Sequence, residues 1–194
     1  SQVLLLKPRS LGCSTGVIVC QDINDFMCWV AEGMISEQYI AEPYIHIDSI
    51  KVVNSQLCHE VKGGWIEMTV VVWEKEGCYT AKKPSITVSK GSILSVEEKF
   101  QGGTGINITP PPNDLVSPEK MRWIIQSLET LCAACGMKQY ARLDCFYNDT
   151  SEELVIIEMN TLPALTPSTV LYHQMLASRP SFTPLETLEM IADM

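Results

Sequence analysis

The chain has 194 residues, 46% of them hydrophobic, which is enough for one large domain or two small ones with a true core. Its formal net charge of −9 argues against a nucleic-acid partner, because such a partner requires a basic face. No apolar run reaches the length of about 18 residues that a membrane helix needs, so no membrane partner is expected. The eight cysteines lack the spacing of a disulfide framework and indicate a reducing compartment.

A loop of small residues lies between two short apolar runs near the start of the chain. Residues 3–6 and 17–20 predict strands, and the loop between them reads PRSLGCSTG, with Lys7 at its entry. Backbone N–H groups in such a loop can surround phosphates while a lysine neutralises their charge. No GK[ST] sequence follows, so this is not a Walker loop. An ordinary hairpin turn with a surface lysine is the simpler alternative.

One helix and several strands are predicted for the remainder of the first half of the chain. Residues 22–34 predict a helix and residues 39–45 a strand. Residues 47–64 have no clean period and indicate a loop or an added hairpin. A strong strand is predicted over residues 65–73. After a turn, residues 78–88 are predicted to run back alongside it.

A glycine- and proline-rich stretch separates the two halves. Residues 91–112 contain EEKFQGGTGINITPPP, which is too rich in glycine and proline for regular structure. Such a loop in a compact domain is usually a lid or disordered, so we expect residues 101–105 to be mobile without ligand. Lys99 and Phe100 lie at its start.

The clearest helix spans residues 117–135, with Ser117 as its cap and Gly136 just beyond its end. Its apolar stripe indicates a core-facing helix. Cys132 and Cys135 form a CxxC pair there. Without a second pair or a nearby histidine, we interpret this pair as structural and not as a zinc site.

Two strands joined by turn formers predict an antiparallel hairpin at residues 140–147 and 153–159. Residues two apart in a strand share a face, so Asp144 points the same way as its neighbour Arg142. With the turn centred near Ser151, Asp144 lies roughly opposite Glu158.

Asn160 shares a face with Glu158, so two carboxylates and an amide oxygen converge at one place. This set suits Mg²⁺, which takes one or two carboxylates and fills its other positions with water and phosphate. The alternative is a solvated open face of the hairpin. In the following TLPALTPST, Thr166 can cap a helix over residues 167–178, whose start would favour an anion.

Taken in order, KPRSLGCSTGV, AEPYI, IEMTV, EEKF with its glycine loop, ARLDCF and IIEMNTLPALTPST resemble the C-terminal part of D-alanine–D-alanine ligases. EEKFQGGTGINITPPP is especially similar to the ligase-like proteins of plants and related eukaryotes. The resemblance implies an α+β ATP-grasp fold with mostly antiparallel sheets. It implies a single domain over 1–194, with a nucleotide-gripping lobe at about 1–90, a metal and catalytic lobe at about 91–194, and the N-terminal substrate domain absent.

The resemblance also implies roles for individual residues. Lys7 and Lys99 resemble the lysines on the ATP phosphates, Ser14 lies in the loop over them, and Glu67 resembles the acid on the ribose. The adenine hinge matches Glu42, Tyr44 and Ile45. The ligands of Mg²⁺ (or Mn²⁺) match Asp144, Glu158 and Asn160. Catalysis is implied for Arg142, Lys99 and the backbone of Ala164, and substrate binding for Phe100, Thr169 and Val170.

The implied activity is an ATP-dependent ligase that joins two D-alanines through an acyl phosphate, and we expect this fragment alone to be inactive. Phe100 replaces a tyrosine of the family, Cys13 a serine and Ala164 a glycine. The alternatives are therefore a non-catalytic module that binds ATP and Mg²⁺, or a ligase for other amino acids. A small amino acid is the expected substrate, and a homodimer or a second ligase-like copy in the full-length chain stays open. The expected compartment is cytoplasmic or plastid-like.

Overall fold

The computed structural model describes residues 3–12, 14–33, 38–54, 56–88, 106–167 and 169–194. Contacts between residues divide the chain into two compact units, Ser1–His46 and Ile47–Met194. Both units combine antiparallel sheets with helices, which confirms the α+β prediction. Among the described helices, none has the length and apolar character required to cross a membrane.

The first unit is a three-stranded antiparallel sheet with one helix. Its elements are β1 (Leu4–Pro8), β2 (Ile18–Cys20), α1 (Ile23–Ala31) and β3 (Tyr39–Pro43), with the strand order β2-β1-β3. The Asp22 carboxylate accepts hydrogen bonds from the N–H groups of Asn24 and Asp25, which fixes the first turn of α1. The helix ends at Ala31, three residues before the predicted end, because Gly33 adopts a φ of 71° that terminates it.

The second unit contains a four-stranded antiparallel sheet with the strand order β11-β10-β6-β7. Its strands are β6 (Trp65–Lys75), β7 (Cys78–Ala81), β10 (Tyr140–Asn148) and β11 (Glu153–Asn160). Two further hairpins are formed by β4 (Ser49–Val53) with β5 (Gln56–Glu60), and by β8 (Ile86–Val88) with β9 (Ile106–Ile108). The first is the added hairpin that the sequence allowed between residues 47 and 64.

Each face of this sheet packs against a different helix. Residues of β6 and β10 such as Val70 and Leu143 pack against α2 (Pro118–Ala134), whose buried residues include Ile124 and Leu128. On the other face, Val71 packs with residues of α3 (Val170–Leu176), and α4 (Pro184–Ala192) lies beside α3. Alternate residues of β6 therefore pack against different helices, one set against α2 and the other against α3.

The predicted helix over residues 117–135 is confirmed, with Ser117 as its cap. Its side chain accepts a hydrogen bond from the N–H of Lys120. Cys132 belongs to the core, and burial, followed by the nearby Cys135, raises the pKa of its thiol to about 11. A thiol with this pKa is protonated at neutral pH, as expected of a structural residue.

The boundary between the two units differs from the expected boundary near residue 90. The reason is that β6 pairs with β10 along its length, from Trp73 opposite Tyr140 to Trp65 opposite Asn148. A strand expected in the first lobe thus forms the centre of the same sheet as the hairpin of the second lobe.

Asp48 fixes the turn that leads into β6. Its Oδ1 accepts hydrogen bonds from the N–H groups of Lys62 (2.8 Å), Gly63 (3.1 Å) and Gly64 (2.8 Å). Its Oδ2 lies 2.8 Å from Nε2 of His59, and only 2% of the Asp48 side chain is exposed. Burial raises the pKa of this carboxyl group, but the hydrogen bonds outweigh it and leave the pKa below the ordinary value of 3.8.

Substitution of Asp48 by asparagine should lower the free energy of unfolding at pH 7 by about 1–3 kcal/mol, because charge-assisted hydrogen bonds are lost. A depressed folded pKa stabilises the protein above the unfolded pKa, so this contribution disappears as the pH falls below 3.8. Urea denaturation at pH 7 and pH 3 should show the difference between wild type and variant shrinking at the lower pH. The exposed Asp114, changed to asparagine, is the control, and an equal difference at both pH values would contradict the argument.

Candidate functional site

The β10–β11 hairpin brings four polar residues to one place. In its register Arg142 lies opposite Asn160 and Asp144 lies opposite Glu158, which confirms the predicted pairing of the two carboxylates. Immediately beyond Asp144 the register shifts, so that Cys145 pairs with Ile156. Such a bulge bends one strand and changes the direction of nearby side chains.

The four side chains contact one another directly. Nη2 of Arg142 lies 2.9 Å from Oδ2 of Asp144 and 3.9 Å from Oε1 of Glu158. Nδ2 of Asn160 donates to the same two oxygen atoms, over 3.2 Å and 3.0 Å. We call Arg142, Asp144, Glu158 and Asn160 the hairpin cluster. The four side chains therefore contact one another, whereas an open, solvated face of the hairpin would leave each of them hydrated separately.

Asp144 has a second neighbour on its other side. Thr69 of β6 lies opposite it, and its hydroxyl group donates to Oδ1 over 2.8 Å. Thr69 was not predicted as a site residue, because nothing in a local pattern shows which residue of a strand 75 positions away will face Asp144. The alternation of side chains along the predicted strand 65–73 assigns Thr69 to one face of the sheet, but it does not show which residue of another strand lies opposite.

Asp144 is largely buried, with 16% of its side chain exposed, whereas 56% of the Glu158 side chain is exposed. Burial raises the pKa of Asp144. Arg142 and the hydrogen bond from Thr69 oppose this effect, Glu158 adds to it, and the net pKa lies above its ordinary value. The site therefore has too little positive charge to compensate fully for the buried carboxylate.

Arg142 also has an unused donor. Its Nε is buried and has no hydrogen-bond partner within the part of the chain that the structure describes. A buried donor without an acceptor is unfavourable, and a bound oxyanion would satisfy it. This atom fits the oxyanion-stabilising role expected of Arg142.

The hairpin cluster also fits a hard divalent cation. Its oxygen atoms come from two carboxylates and one side-chain amide, a set that Mg²⁺ and Mn²⁺ accept. In this structure Nδ2 of Asn160 points at both carboxylates, and a half-turn of the amide would present its oxygen instead. No group of three or more His, Cys, Asp or Glu residues suited to a metal occurs among the described residues, so the amide is the third protein ligand in this interpretation.

The segment after β11 differs from its prediction. Helix α3 begins at Val170 with Thr169 as its N-cap, so the expected cap at Thr166 is wrong. The N–H of Thr169 donates to the carbonyl of Thr166, which closes a turn before the helix instead of its first turn. Ala164 lies in the exposed link between β11 and this turn. The two candidate substrate residues Thr169 and Val170 are therefore adjacent at the start of α3.

In the first unit, two of the candidate nucleotide residues meet. Nζ of Lys7 on β1 lies 2.7 Å from Oε1 of Glu42 on β3. Ser14 is exposed at the turn between β1 and β2. The backbone N–H of Tyr44 donates to the carbonyl of Val3, which holds the start of the segment containing Ile45 against β1. This unit is thus compatible with both the phosphate-binding loop and the ordinary hairpin.

Two candidate groups are not brought into the described clusters. Glu67 lies on β6 opposite Phe146 and is not a member of the hairpin cluster. Lys99, Phe100 and the 101–105 loop lie outside the described residues, as does Cys13.

The fold resembles those of solved ATP-grasp ligases. D-alanyl-alanine synthetase A from Vibrio cholerae matches with a TM-score of 0.69 at 16% identity, over 99% of this chain and 52% of that chain. The VanG D-Ala:D-Ser ligase from Enterococcus faecalis matches with a TM-score of 0.68 at 16% identity, over 100% of this chain and 49% of that chain. Together they place the fold in the ATP-grasp class, as the sequence analysis expected.

Sequence comparison narrows this class to one family. The model of the D-ala D-ala ligase C-terminus matches residues 3–180, and the chain belongs to this family. The D-alanine–D-alanine ligase of Pediococcus pentosaceus is 35% identical over 187 residues, which are 94% of this chain and 45% of that protein. The ligase of Chlorobium luteolum is 30% identical over 190 residues, with 94% and 45% covered. The chain spans about half the length of these curated relatives.

Arg142→Met should reduce the free energy of unfolding by about 3 kcal/mol, because it leaves the largely buried Asp144 without its cation. Adding Asp144→Asn to this variant should recover part of the loss, since the uncompensated charge disappears. Urea denaturation measures both effects, with Arg122→Met on the exposed side of α2 as the control. A loss below about 1 kcal/mol would mean that Arg142 behaves as an exposed ion-pair partner.

Proposed function

We propose that this chain is the nucleotide- and metal-binding part of an ATP-dependent carboxylate–amine ligase of the D-alanine–D-alanine type. The hairpin cluster supports the proposal most directly, because it combines oxygen atoms of the kind that a divalent cation accepts with a buried arginine donor in a member of this ligase family. In the proposed reaction a substrate carboxylate attacks the γ-phosphorus of ATP and releases ADP. An amine then attacks the acyl phosphate and releases phosphate.

In this proposal the hairpin cluster serves both halves of the reaction. Asp144, Glu158 and Asn160 hold Mg²⁺ or Mn²⁺, which when bound neutralises charge on the transferring phosphoryl group. Arg142 opposes the rise in the pKa of Asp144 by its contact of 2.9 Å and directs its unpaired Nε at the oxyanion of the substrate. Loss of one such donor typically costs about 3–4 kcal/mol of transition-state stabilisation.

The nucleotide roles are proposed from the family. Lys7 binds the α- and β-phosphates and is paired with Glu42 in the structure, so ATP must compete with that carboxylate for the ammonium group. The hinge of Glu42, Tyr44 and Ile45 takes the adenine, with Ser14 over the phosphates and Glu67 on the ribose. Lys99 reaches the γ-phosphate.

The substrate roles are proposed in the same way. Thr169 and Val170 at the start of α3 bind the carboxylate of the second amino acid, where the N-cap Thr169 makes no side-chain hydrogen bond to the first turn of the helix. Ala164 contributes a backbone N–H to the oxyanion, and Phe100 lies against the first amino acid. The substrate is a small amino acid, and the rest of its site belongs to an N-terminal domain that would complete the length seen in the relatives.

The wider setting is also part of the proposal. Residues 1–194 form one ATP-grasp domain in this proposal. The full-length protein is then either a homodimer or a chain with a second ligase-like copy. All cysteines in the described part of the chain are free, which supports a reducing compartment such as the cytoplasm.

A second candidate function is a non-catalytic module that binds ATP and Mg²⁺. The observation in its favour is that Phe100 and Cys13 replace a tyrosine and a serine of the family. The two candidates share the nucleotide and metal site and differ in whether an amino acid is coupled.

A calorimetric titration with a non-hydrolysable ATP analogue tests the shared site. Binding should require Mg²⁺, and Glu158→Ala should weaken the Mg²⁺-dependent part about tenfold or more, because one carboxylate ligand is removed. Glu153→Ala on the same strand is the control, since Glu153 is exposed and outside the hairpin cluster. Binding that is absent, or equally strong without Mg²⁺, would contradict the proposed function.

Release of ADP by the full-length protein separates the ligase from the binding module. The ligase should release ADP in proportion to added D-alanine, and Arg142→Lys should slow this release while nucleotide binding persists, because the charge remains but the Nε geometry is lost. Nucleotide binding without ADP release, with D-alanine or any other amino acid, would favour the module.

A further inference from the structure

Gln174 of α3 is a buried polar residue to which the proposed function gives no role. None of its surface is exposed. It lies on the helix whose residues Leu171, Tyr172 and Met175 form an apolar cluster with Val71 and Trp73 of β6. A carboxamide in such surroundings is costly unless its donors and acceptor are used.

The Gln174 carboxamide is almost fully hydrogen-bonded to the backbone and side chains around β6. Its Oε1 accepts from the N–H of Val71 over 2.9 Å. Its Nε2 donates to the carbonyl of Thr69 over 2.8 Å and to the hydroxyl of Ser85 over 2.9 Å. The Gln174 side chain therefore binds the β6 backbone at Thr69 and at Val71, on either side of Val70.

A gap in the sheet explains why β6 needs this contact. The β6–β7 ladder ends at Val72 opposite Ala81, where the N–H of Lys82 still donates to the carbonyl of Val71 over 2.8 Å, and the next bridge along β6 is the isolated one between Thr69 and Ser85. Between them the chain passes through residues 82–84, and Pro84 has no N–H to donate. Gln174 replaces the missing peptide group, because its amide accepts from one residue of β6 and donates to another.

Thr69 connects this contact to the hairpin cluster. Its backbone is fixed by Gln174 and by the two hydrogen bonds it exchanges with Ser85, each 2.9 Å long. Its hydroxyl group donates to Oδ1 of Asp144 over 2.8 Å. Oδ1 is thereby held from β6, while Oδ2 faces Arg142 and Asn160.

We propose that Thr69 and Gln174 are positioning residues for the metal site, with Gln174 fixing the β6 backbone so that the Thr69 hydroxyl orients the Asp144 carboxylate toward the cation. The inference rests on the proposed function, because it assumes that Asp144 is a metal ligand. It connects α3, at whose start Thr169 and Val170 are proposed to bind substrate, to the metal site through one chain of hydrogen bonds.

The test measures Mn²⁺ affinity by electron paramagnetic resonance on the full chain, with a saturating non-hydrolysable ATP analogue. Thr69→Val keeps the shape and β-branching of the side chain but removes the hydroxyl, and it should weaken Mn²⁺ binding about 10- to 100-fold. Thr69→Ser should restore most of the affinity. Thr187→Val is the control, because Thr187 is a buried threonine outside the hairpin cluster whose hydroxyl donates to the carbonyl of Thr183, the N-cap of α4. That control should lower the melting temperature without changing Mn²⁺ affinity.

A double-mutant cycle tests the order of the connection. Gln174→Met preserves the approximate volume and removes the carboxamide, so it should also weaken Mn²⁺ binding. If Gln174 acts through Thr69, this loss should largely vanish in the Thr69→Val background. Additive losses would overturn the connection between the two residues.

Two outcomes separate the inference from the proposed function. If Mn²⁺ binding is lost in Glu158→Ala but unchanged in a folded Thr69→Val, the positioning role is wrong and the metal site stands. If wild type does not bind Mn²⁺, or Glu158→Ala binds it as wild type does, the metal site and the positioning role both fail.

Discussion

The pairing of β10 with a strand on each side is the constraint on which the site depends. Asp144 lies opposite Thr69 on β6 and opposite Glu158 on β11. A shift of one residue would turn Leu143 and Cys145 out of the core and Asp144 into it. Burial of apolar side chains on the α2 face therefore enforces the register, and the convergence of polar side chains on the other face follows from it.

The electrostatics of the hairpin cluster follow from this placement. Because Asp144 is held in the sheet with little exposure, its charge is costly, and Arg142 compensates for it only in part. Arg142 itself keeps a buried Nε without an acceptor. An excess of oxygen ligands next to an unused donor is an arrangement suited to a cation and an oxyanion together.

Gln174 shows how a helix can complete a sheet where the chain leaves it. Its hydrogen bond from the N–H of Val71 replaces one that a longer β7 would make, and its bond to the carbonyl of Thr69 fixes the part of β6 that carries this residue. The same helix begins at the residues proposed to bind substrate. Stability of the sheet and geometry of the site therefore share one side chain, so a change at Gln174 should affect both.

Local features could be predicted from the sequence alone, because they depend on residues close together in the chain. Turn formers between two short strands and alternation along each of them placed Asp144 opposite Glu158, and the caps of α2 were visible as Ser117 and Gly136. The ordered motifs also identified the family, which the match over residues 3–180 confirms. The start of α3 was mispredicted, because a turn at Thr166 and a helix cap have similar sequence signatures. The position of β6 beside β10, the contact of Thr69 with Asp144 and the contact of Gln174 with Thr69 could not be predicted in this way, since these contacts join residues 75 and 105 positions apart. Periodicity assigns a residue to a face, whereas its partner across the sheet is chosen by packing of the whole unit.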